Sequence, residues 1–398
     1  MIHATAPMSS DIRGVRPPVA LLTSEFLPFS QTFVYAQVVH YRRYHPEVFA
    51  RRRTNEDRFP DAHVFTLTPG GPLRHAERLL QSLTGHSPTF VTRLRAGGHR
   101  LLHAQTGWQG ILSVPLLEAV PLPLLVTFRG RDASRVAGRP GVPNPWLASR
   151  RGRLFRMAAQ IHAVSRELVE RLVEMGAPPA RVRVWRSGIE IPPEGRGRGT
   201  GREHGPAEPL RVVMAGRFVE KKGFEYGLEA FAAFIAAGHD ARLALVGDGR
   251  LRPAYERLVR RLGVGERVEL TGALPQTALL ARIGGADIVM VPSVRGSNDD
   301  REGVPNVLKE ASARSVPVIA TRHGGIPEAL TDGLTGILVP ERDPAALARA
   351  LGVLAVDPAQ RERMGAAGRE KMVREYDVVR QVAELEDIYD EVLAGAAR

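Results

Sequence analysis

The fold class is decided by one stretch, ADIVMVPSVRGSNDDREGVPNVLKEASARSVPVIA, residues 286–320. It opens with an apolar run, residues 286–291, that predicts a buried strand, and it closes with a second such run, residues 316–320. Between them an acidic loop leads into a helix predicted over residues 305–314, with Pro305 at the first helical position, where its fixed backbone angle is tolerated. Because strands joined by a helix pair in parallel, this stretch predicts a layered α/β fold.

The same alternation extends from this stretch towards the N-terminus. Short apolar runs predict strands at residues 210–215, 241–246 and 268–271, and earlier at residues 19–23, 48–51, 63–67, 101–104, 124–128 and 160–164. The segment between the two groups is rich in Gly, Pro and Arg, which predicts an exposed linker over residues 191–208. We therefore predict two Rossmann-like, doubly wound domains, residues 1–190 and 209–377, that bind a ligand in the cleft between them.

Composition limits the class of protein. The 398 residues suit two domains, and 43% hydrophobic residues with 25% charged residues indicate a globular chain. Cysteine is absent, which excludes disulfides and thiolate chemistry and fits a cytoplasmic location. No apolar run is long enough to span a bilayer, and residues 1–16 lack the pattern of a signal peptide.

Basic residues exceed acidic ones by 12, which favours anionic partners. The densest basic cluster consists of Arg42, Arg43, His45, Arg51, Arg52 and Arg53. It could be an ordinary solvated face, or it could bind the anionic inner face of a membrane or a phosphorylated acceptor. Nucleic acid is disfavoured, because no aromatic residues interleave with the charges as stacking platforms.

The acidic loop carries the sharpest chemical signal. The backbone N–H groups of Gly303, Val304 and Asn306 surround the helix start predicted at Pro305, a position that suits phosphate. Glu302 precedes the helix, and Glu310 lies in its first turns within reach of a ribose diol. Asp299 and Asp300 are expected to rim the pocket. Taken alone, the two glutamates could equally be surface residues of a capped helix.

Other predicted strand ends add to this signal. Arg217 and Lys222 follow the strand at residues 210–215, and an arginine fork with a lysine is a suitable clamp for a diphosphate. Gly247 opens a tight glycine turn after the next strand. Together with the end of the strand at residues 286–291, these strand ends therefore suit a nucleoside diphosphate.

These stretches resemble the nucleotide-binding domain of retaining GT-B glycosyltransferases of family 4. The resemblance is carried by AGRFVEKKGFEYGLEAF, by LVGDGRLRPAYERLVRRLGVGERVELTGAL and by residues 286–330. It implies that Arg217, Lys222 and residues 303–306 bind the donor diphosphate, that Glu302 contacts the donor sugar, and that Glu310 and residues near Leu274 hold the nucleoside. It also implies catalysis without a metal or other cofactor, and a C-terminal helix, residues 378–396, that crosses back onto the first domain.

The N-terminal half is similar to exopolysaccharide glycosyltransferases of the colanic-acid and amylovoran type. The similarity lies in FSQTFVYAQ, HAQTG, TFRGRD and SGIE. The loop of Ser30, Gln31 and Thr32 opens a predicted helix at a strand end, so its N–H groups could meet the donor phosphate from the opposite side of the cleft. His103 lies at a predicted strand end, where it could belong to the active site or be a structural histidine. Arg129 stands where this family has histidine. Arginine cannot act as a base, but it could stabilise a leaving phosphate or an anionic acceptor, or merely pair with Asp132.

The function predicted on this resemblance is transfer of a hexose from a UDP- or GDP-sugar to a glycan or lipid-linked acceptor, with retention of configuration, in the synthesis of a cell-surface glycan. Two alternatives remain open. One is a pseudo-glycosyltransferase that binds the donor without turnover, which Arg129 favours. The other is a GT-B enzyme of different chemistry, such as a sugar-nucleotide epimerase.

Overall fold

The computed structural model describes residues 16–26, 32–54, 63–67, 71–138, 142–193 and 208–396. The chain forms two parallel sheets, each flanked by helices, as the strand–helix alternation predicts. The predicted GT-B arrangement of two Rossmann-like domains is confirmed. Most of the linker predicted at residues 191–208 lies outside the described residues.

The first sheet has seven strands in the order β3-β2-β1-β4-β5-β6-β7. Its strands are β1 Pro18–Phe26, β2 His45–Arg53, β3 Val64–Thr66, β4 Leu102–Ala104, β5 Leu124–Phe128, β6 Ala158–Ala163 and β7 Val182–Val184. Its helices are α1 Thr32–Val39, α2 Gly71–Thr84, α3 Pro88–Ala96, α4 Gly107–Ala119, α5 Arg131–Ala137, α6 Pro145–Met157 and α7 Arg166–Glu174, with a 3₁₀ turn at Pro179–Arg181.

The second sheet has six strands in the order β10-β9-β8-β11-β12-β13. Its strands are β8 Leu210–Ala215, β9 Ala241–Val246, β10 Val268–Gly272, β11 Ile288–Val291, β12 Val318–Thr321 and β13 Gly336–Val339. Its helices are α8 Phe224–Ala236, α9 Arg252–Arg261, α10 Gln276–Gly284, α11 Asn306–Ser312, α12 Ile326–Ala329, α13 Pro344–Val356 and α14 Pro358–Glu375, with 3₁₀ turns at Glu220–Lys222 and Gly265–Arg267.

The order of strands places the site. In each sheet the order in which strands are added reverses at one point. This point lies between β1 and β4 in the first sheet and between β8 and β11 in the second. At such a switch point the loops leave adjacent strands in opposite directions and open a crevice at the carboxyl ends. The loops after β8 and β11 carry Arg217, Lys222 and Glu302, so the predicted donor residues meet at the crevice.

The last helix, α15 (Val378–Ala396), packs against the first sheet. Val382, Leu385 and Tyr389 are buried among side chains of β1 and β2. The N–H groups of Arg42, Arg43 and Tyr44 all donate to Oε1 of Glu386, at 2.9, 2.7 and 3.1 Å. These bonds fix a turn after α1. Helix α1 therefore ends at Val39.

Two strands, β7 and β13, were not predicted. Both lie at the edge of their sheet and have only three and four residues, so their apolar pattern is too short to detect. A smaller correction concerns Pro305, which has an extended backbone (φ −61°, ψ 131°) and lies just before α11 rather than at its first position. Its carbonyl still accepts the N–H of Lys309, at 3.4 Å.

Candidate active site

A cavity of about 590 Å³ opens where the carboxyl ends of the two sheets face each other. Most of the predicted site residues line it: Arg129, Arg217, Lys222, Gly247, Leu274, Glu302, Val304, Pro305, Asn306 and Glu310. They come from the segments that follow five strands, β5, β8, β9, β10 and β11, and the sheet order brings them together. A cavity of this size, with charged groups at its walls, suits a small polar ligand.

Two adjacent lysines after β8 have different tasks. Lys221 is buried, and its ammonium group donates to Oδ1 of Asp300 at 2.9 Å and to the carbonyl of Arg301 at 3.0 Å. It thereby holds the acidic loop in place. Lys222 lines the cavity, with its Nζ 3.1 Å from Oε1 of Glu302. The cavity therefore has one fixed cation beside one fixed carboxylate.

The Glu302 carboxylate is strongly ionised. Burial opposes its ionisation, but the charges of Lys221 and Lys222 outweigh burial and lower its pKa to about 2. The backbone N–H of Glu302 donates to Nε2 of His323 at 3.1 Å, and Nδ1 of His323 lies 2.7 Å from Oε1 of Glu341. Because Nε2 accepts, the ring proton sits on Nδ1 and is donated to Glu341. His323 therefore orients the loop, a role that sequence reasoning missed although the residue lies in the quoted stretch.

Glu310 lies on α11, on a different wall of the cavity from Lys222. Its Oε1 accepts a hydrogen bond from Nε2 of Gln276 at 2.8 Å. Burial raises its pKa. Leu274 and Gly247 line the same region. A carboxylate beside an apolar side chain and a glycine turn can accept hydrogen bonds from a diol while a flat ring lies against the apolar wall.

The Arg217 side chain is exposed to the cavity and makes no hydrogen bond or ion pair within the described part of the chain. Burial and then the charge of Arg131 lower its pKa. Arg131 belongs to the first domain and also lines the cavity. Cations from both domains therefore converge on one space, an arrangement that attracts a polyanion such as a diphosphate.

Arg129 lies at the end of β5, and its guanidinium group is held in place. It donates to the carbonyl of Gln105 (3.1 Å), to Oε1 of Gln105 (2.9 Å) and to Oγ of Ser187 (2.8 Å). Asp132 instead accepts from the backbone N–H of Arg129, at 2.8 Å. The side-chain pairing with Asp132 that the sequence left open is therefore not formed. Burial lowers the pKa of Arg129 to about 10, so it stays protonated at neutral pH.

The two domains touch beside the acidic loop. A Cβ placed on Gly303 would lie 2.7 Å from the carbonyl oxygen of Arg129, and one on Gly130 would lie 2.6 Å from the Gly303 nitrogen. Two ion pairs flank this backbone contact. Arg171 pairs with Asp299 at 2.5 Å, and Arg301 pairs with Glu167 at 2.7 Å. Glu302 is therefore positioned by both domains.

Replacing Gly303 with alanine should lower the rate of the sugar transfer that the sequence resemblance implies, about tenfold or more, because the added methyl group must push the domains apart and displace Glu302. The control is Gly352→Ala, since nothing lies within 4 Å of a Cβ at that position. Steady-state rates of both variants provide the measurement. A Gly303→Ala rate equal to that of the control would show that the glycine contact does not position Glu302.

Family models match both halves of the chain. The model described as "Glycosyltransferase Family 4" matches residues 34–191, and the one described as "Glycosyl transferases group 1" matches residues 209–357. A GDP-mannose-dependent phosphatidylinositol monomannoside mannosyltransferase of Mycolicibacterium smegmatis is 33% identical over 296 residues, which are 71% of this chain and 75% of that protein.

The chain belongs to glycosyltransferase family 4.

Other glycosyltransferases are similar over shorter stretches. A protein named for colanic acid biosynthesis in Salmonella typhimurium is 32% identical over 237 residues, 58% of this chain and 57% of that protein. The amylovoran biosynthesis glycosyltransferase AmsK of Erwinia amylovora is 31% identical over 236 residues, again 58% and 57%. The predicted resemblance to this type is confirmed. The alignments with both proteins span little more than half of their length.

Solved structures confirm the fold. Sucrose-phosphate synthase of Thermosynechococcus elongatus superposes with a TM-score of 0.75 at 22% identity, covering 96% of this chain and all of that one. An Anabaena protein, HepE, in complex with UDP-glucose gives 0.74 at 17% identity, with 94% and 99% coverage. At these sequence identities the structural similarity supports the fold and no further property.

Some predicted site residues of this family-4 chain lie elsewhere. His103 does not line the cavity; its Nδ1 is 2.6 Å from the Tyr389 hydroxyl and its Nε2 is 2.8 Å from the Thr127 hydroxyl. It links α15 to the first sheet, so the structure gives it a structural position. Ser30 and Gln31 lie outside the described residues, as does the side chain of Thr32. Asp299 and Asp300 do not rim the cavity, because they are engaged by Arg171 and Lys221.

The basic cluster is not one patch. Arg42 and Arg43 precede β2 and Arg51, Arg52 and Arg53 end it, so about 25 Å separates the two groups along the strand. Arg43 pairs with Asp387 and Asp390, both at 2.6 Å, and so docks α15. Arg52 pairs with Glu25 at 2.8 Å.

Lys309 is a buried cation that sequence reasoning did not single out. Its Nζ donates to the carbonyl of Ser187 at 2.8 Å, and no carboxylate within the described residues pairs with it. Burial lowers its pKa from the ordinary 10.5 to about 7, although Glu310 opposes this shift. Between these two values the unfolded chain binds the proton more tightly than the folded one. Burial of the charged Lys309 therefore destabilises the folded state by its full amount below about pH 7, and this destabilisation decreases as the pH rises towards 10.5.

Lys309→Met should raise the melting temperature at about pH 6.5, and the gain should shrink by more than half at about pH 9.5. The physical reason is that methionine removes a buried charge while keeping the volume. Calorimetry at the two pH values provides the measurement, with Arg380→Met at an exposed position as the control. If Lys309→Met instead lowered the melting temperature at about pH 6.5, the folded protein would stabilise the buried charge of Lys309 rather than be destabilised by it.

No described helix is both long and apolar enough to cross a membrane. Within the same described ranges, no group of three or more His, Asp or Glu side chains is placed to hold a metal ion.

Proposed function

We propose that this chain transfers a hexose from a UDP- or GDP-sugar to a glycan or lipid-linked acceptor, with retention of configuration, in cell-surface glycan synthesis. The observation that carries the proposal is the fixed pair of Lys222 and Glu302 in a cleft that both domains build. The relatives support the donor class, since one is named as GDP-mannose-dependent and one solved neighbour holds UDP-glucose.

In the proposed reaction an acceptor hydroxyl attacks the anomeric carbon on the face from which the phosphate departs. The new carbon–oxygen bond forms as the bond to the phosphate oxygen breaks, and the hydroxyl proton passes to the leaving phosphate. No side chain becomes a nucleophile. Lys222 and Arg217 would neutralise the departing diphosphate, Glu302 would fix the sugar, and Glu310 would hold the ribose diol.

A second candidate is a protein that binds the donor without turnover. Arg129 favours it, because a guanidinium that stays protonated cannot accept a proton from the sugar or the acceptor. In the proposed reaction Arg129 instead faces the leaving phosphate or an anionic acceptor. Release of nucleoside diphosphate by the purified protein separates the two candidates.

A thermal-shift screen against UDP, GDP, ADP and their sugars tests donor binding. A ligand at about a hundredfold excess over its Kd stabilises the folded state by about 2.7 kcal/mol. We expect one nucleoside diphosphate to raise the melting temperature clearly and the others to have little effect. If none of them does, the proposed function is wrong.

We further propose that turnover needs no metal ion, because Lys222, Arg217 and the start of α11 supply the positive charge that a magnesium ion would otherwise provide. Transfer measured with excess EDTA should equal transfer measured with added Mg²⁺. An EDTA-treated sample that loses its activity and regains it with Mg²⁺ would contradict this proposal.

We also propose that the chain meets the anionic cytoplasmic face of a membrane through α2 and the end of β2. Leu79, Leu80 and Leu83 are 62%, 44% and 62% exposed, and Arg78 of the same helix lies near Arg51. Exposed leucines beside arginines suit an interface of acyl chains and acidic headgroups.

Sedimentation with phosphatidylglycerol vesicles tests this surface. Changing Leu79 and Leu83 to serine should abolish most of the binding, whereas Val356→Ser, at a residue 73% exposed on the other domain, should not. Equal sedimentation of the two variants would refute the proposed surface.

A further inference from the structure

The proposed mechanism leaves one side of the cavity unused. On this side Trp108, the second residue of α4, lines the cavity and is half-buried. The guanidinium carbon of Arg135 stands 3.7 Å from the centre of the Trp108 ring. Trp146 lies next to it, with its ring centre 6.4 Å away and 44% of its surface exposed. Two indole rings therefore continue from the cavity to the surface.

The cations beside these rings are not neutralised. Arg131 and Arg135 are exposed and line the cavity, and neither pairs with a carboxylate in the part of the chain that the structure describes. Burial, then Arg131, then Arg51 lower the pKa of Arg135, which shows that positive charge accumulates here. The nearest acid in sequence, Asp132, is buried and accepts the N–H groups of Gly107 and Arg129 at 2.7 and 2.8 Å.

The position of these residues connects them to the donor site. Arg131 lies close enough to Arg217 to lower its pKa, and Arg217 belongs to the proposed diphosphate clamp. The indole rings and Arg135 lie on the first domain, opposite Glu310 and Leu274 of the second. A molecule bound here would approach the donor sugar from the acceptor side.

The chemistry defines the ligand. The exposed indole of Trp146 can pack against the apolar face of a sugar ring, and the arginine fork that lies over Trp108 can bind a carboxylate or phosphate in a bidentate manner. We propose that Trp108, Arg131 and Arg135 form an acceptor subsite for a sugar or lipid carrier that bears an anionic group. This inference rests on the proposed function, since it names the acceptor class of the same cleft.

Two sources could supply the anionic group, a uronate in a glycan or the diphosphate of a prenyl carrier. The experiment uses one probe for each: trigalacturonate against neutral maltotriose, and geranyl diphosphate against geraniol. The full-length chain is first saturated with the nucleoside diphosphate that stabilises it best, so that the donor clamp is occupied. Tryptophan fluorescence then reports binding, since Trp108 would be covered.

We expect at least one anionic probe to bind more tightly than its neutral counterpart. Arg131→Gln and Arg135→Gln should each weaken that binding about tenfold, the loss of one charge-assisted contact, and Arg135→Gln should leave the Kd of the nucleotide within about twofold. Arg380→Gln, an exposed arginine of α15, is the control and should change neither value. The unchanged nucleotide Kd shows that Arg135→Gln is folded, and an unchanged melting temperature shows the same for Arg131→Gln.

Two results would overturn the inference: equal binding of charged and neutral probes, or preferential binding that survives both arginine substitutions. Preference for trigalacturonate would assign the subsite to an acidic glycan, and preference for geranyl diphosphate would assign it to a carrier lipid. If no nucleotide binds, the proposed function fails separately, and the same probes are titrated into the free protein to decide on the subsite alone.

Discussion

Replacing Lys222 with methionine is expected to lower the rate of sugar transfer by about 10²–10³-fold, the usual loss when one fixed charge donor is removed from a developing anion. Lys222 is the cavity cation that lies 3.1 Å from Glu302, and its side chain is only 14% exposed. Without the Lys222 ammonium group, less positive charge would neutralise the negative charge that develops on the leaving diphosphate. Donor affinity should fall less than the rate does, because Arg217 remains.

The fold should survive this change, because Lys221 and not Lys222 holds the acidic loop through Asp300 and the carbonyl of Arg301. The melting temperature should therefore move by no more than the roughly 2–4 °C that 1 kcal/mol produces. Lys371→Met is the matched control, since that ammonium group contacts Thr331 away from the cavity. A Lys222→Met enzyme with the rate of the control would remove Lys222 from the reaction.

Glu310→Ala is expected to weaken donor binding about 100-fold, because a carboxylate that accepts both hydroxyls of a ribose contributes two charge-assisted hydrogen bonds. Titration calorimetry with the preferred nucleoside diphosphate provides the measurement. Glu266→Ala, in the 3₁₀ turn Gly265–Arg267, is the control. If Glu310→Ala bound the nucleoside diphosphate with wild-type affinity, Glu310 would not be the residue that binds the ribose.

The same residue predicts a dependence on pH. Burial raises the pKa of Glu310, so the carboxylate is protonated at a higher pH than an exposed glutamate. Donor affinity should therefore fall as the pH is lowered towards that raised pKa, and the Glu310→Ala variant should lack this fall. In Glu310→Gln the amide can still accept hydrogen bonds but does not titrate, so its affinity should be low and independent of pH in this range.

Much of the donor site could be predicted from the sequence because its residues follow strands with strong apolar patterns. Arg217, Lys222, Glu302 and Glu310 were all found this way, since the carboxyl ends of parallel strands meet at one edge. The division of labour between Lys221 and Lys222 could not be predicted, because it depends on which side chain points into the protein. The pattern of two adjacent lysines is the same in either case.

Contacts between segments that are far apart in the sequence were the other features that could not be predicted. His103 lies near the end of β4, as a site residue would, yet the hydroxyl of Tyr389 in α15, 286 positions later, holds its ring. Arg43 lies in a basic run, yet carboxylates of the same helix neutralise it. The subsite of Trp108 and Arg135 was missed for the same reason, since the two residues are far apart in sequence and belong to different helices.

The central claim is that the cleft binds a nucleotide sugar and transfers its sugar. The most direct test is to incubate the purified protein with a panel of UDP- and GDP-sugars and to measure the released nucleoside diphosphate by chromatography. We predict that one sugar nucleotide is consumed and that Lys222→Met nearly abolishes its consumption. If the wild-type protein binds a nucleotide but consumes none of the sugars, with or without glycan acceptors, the account of a transferase is contradicted.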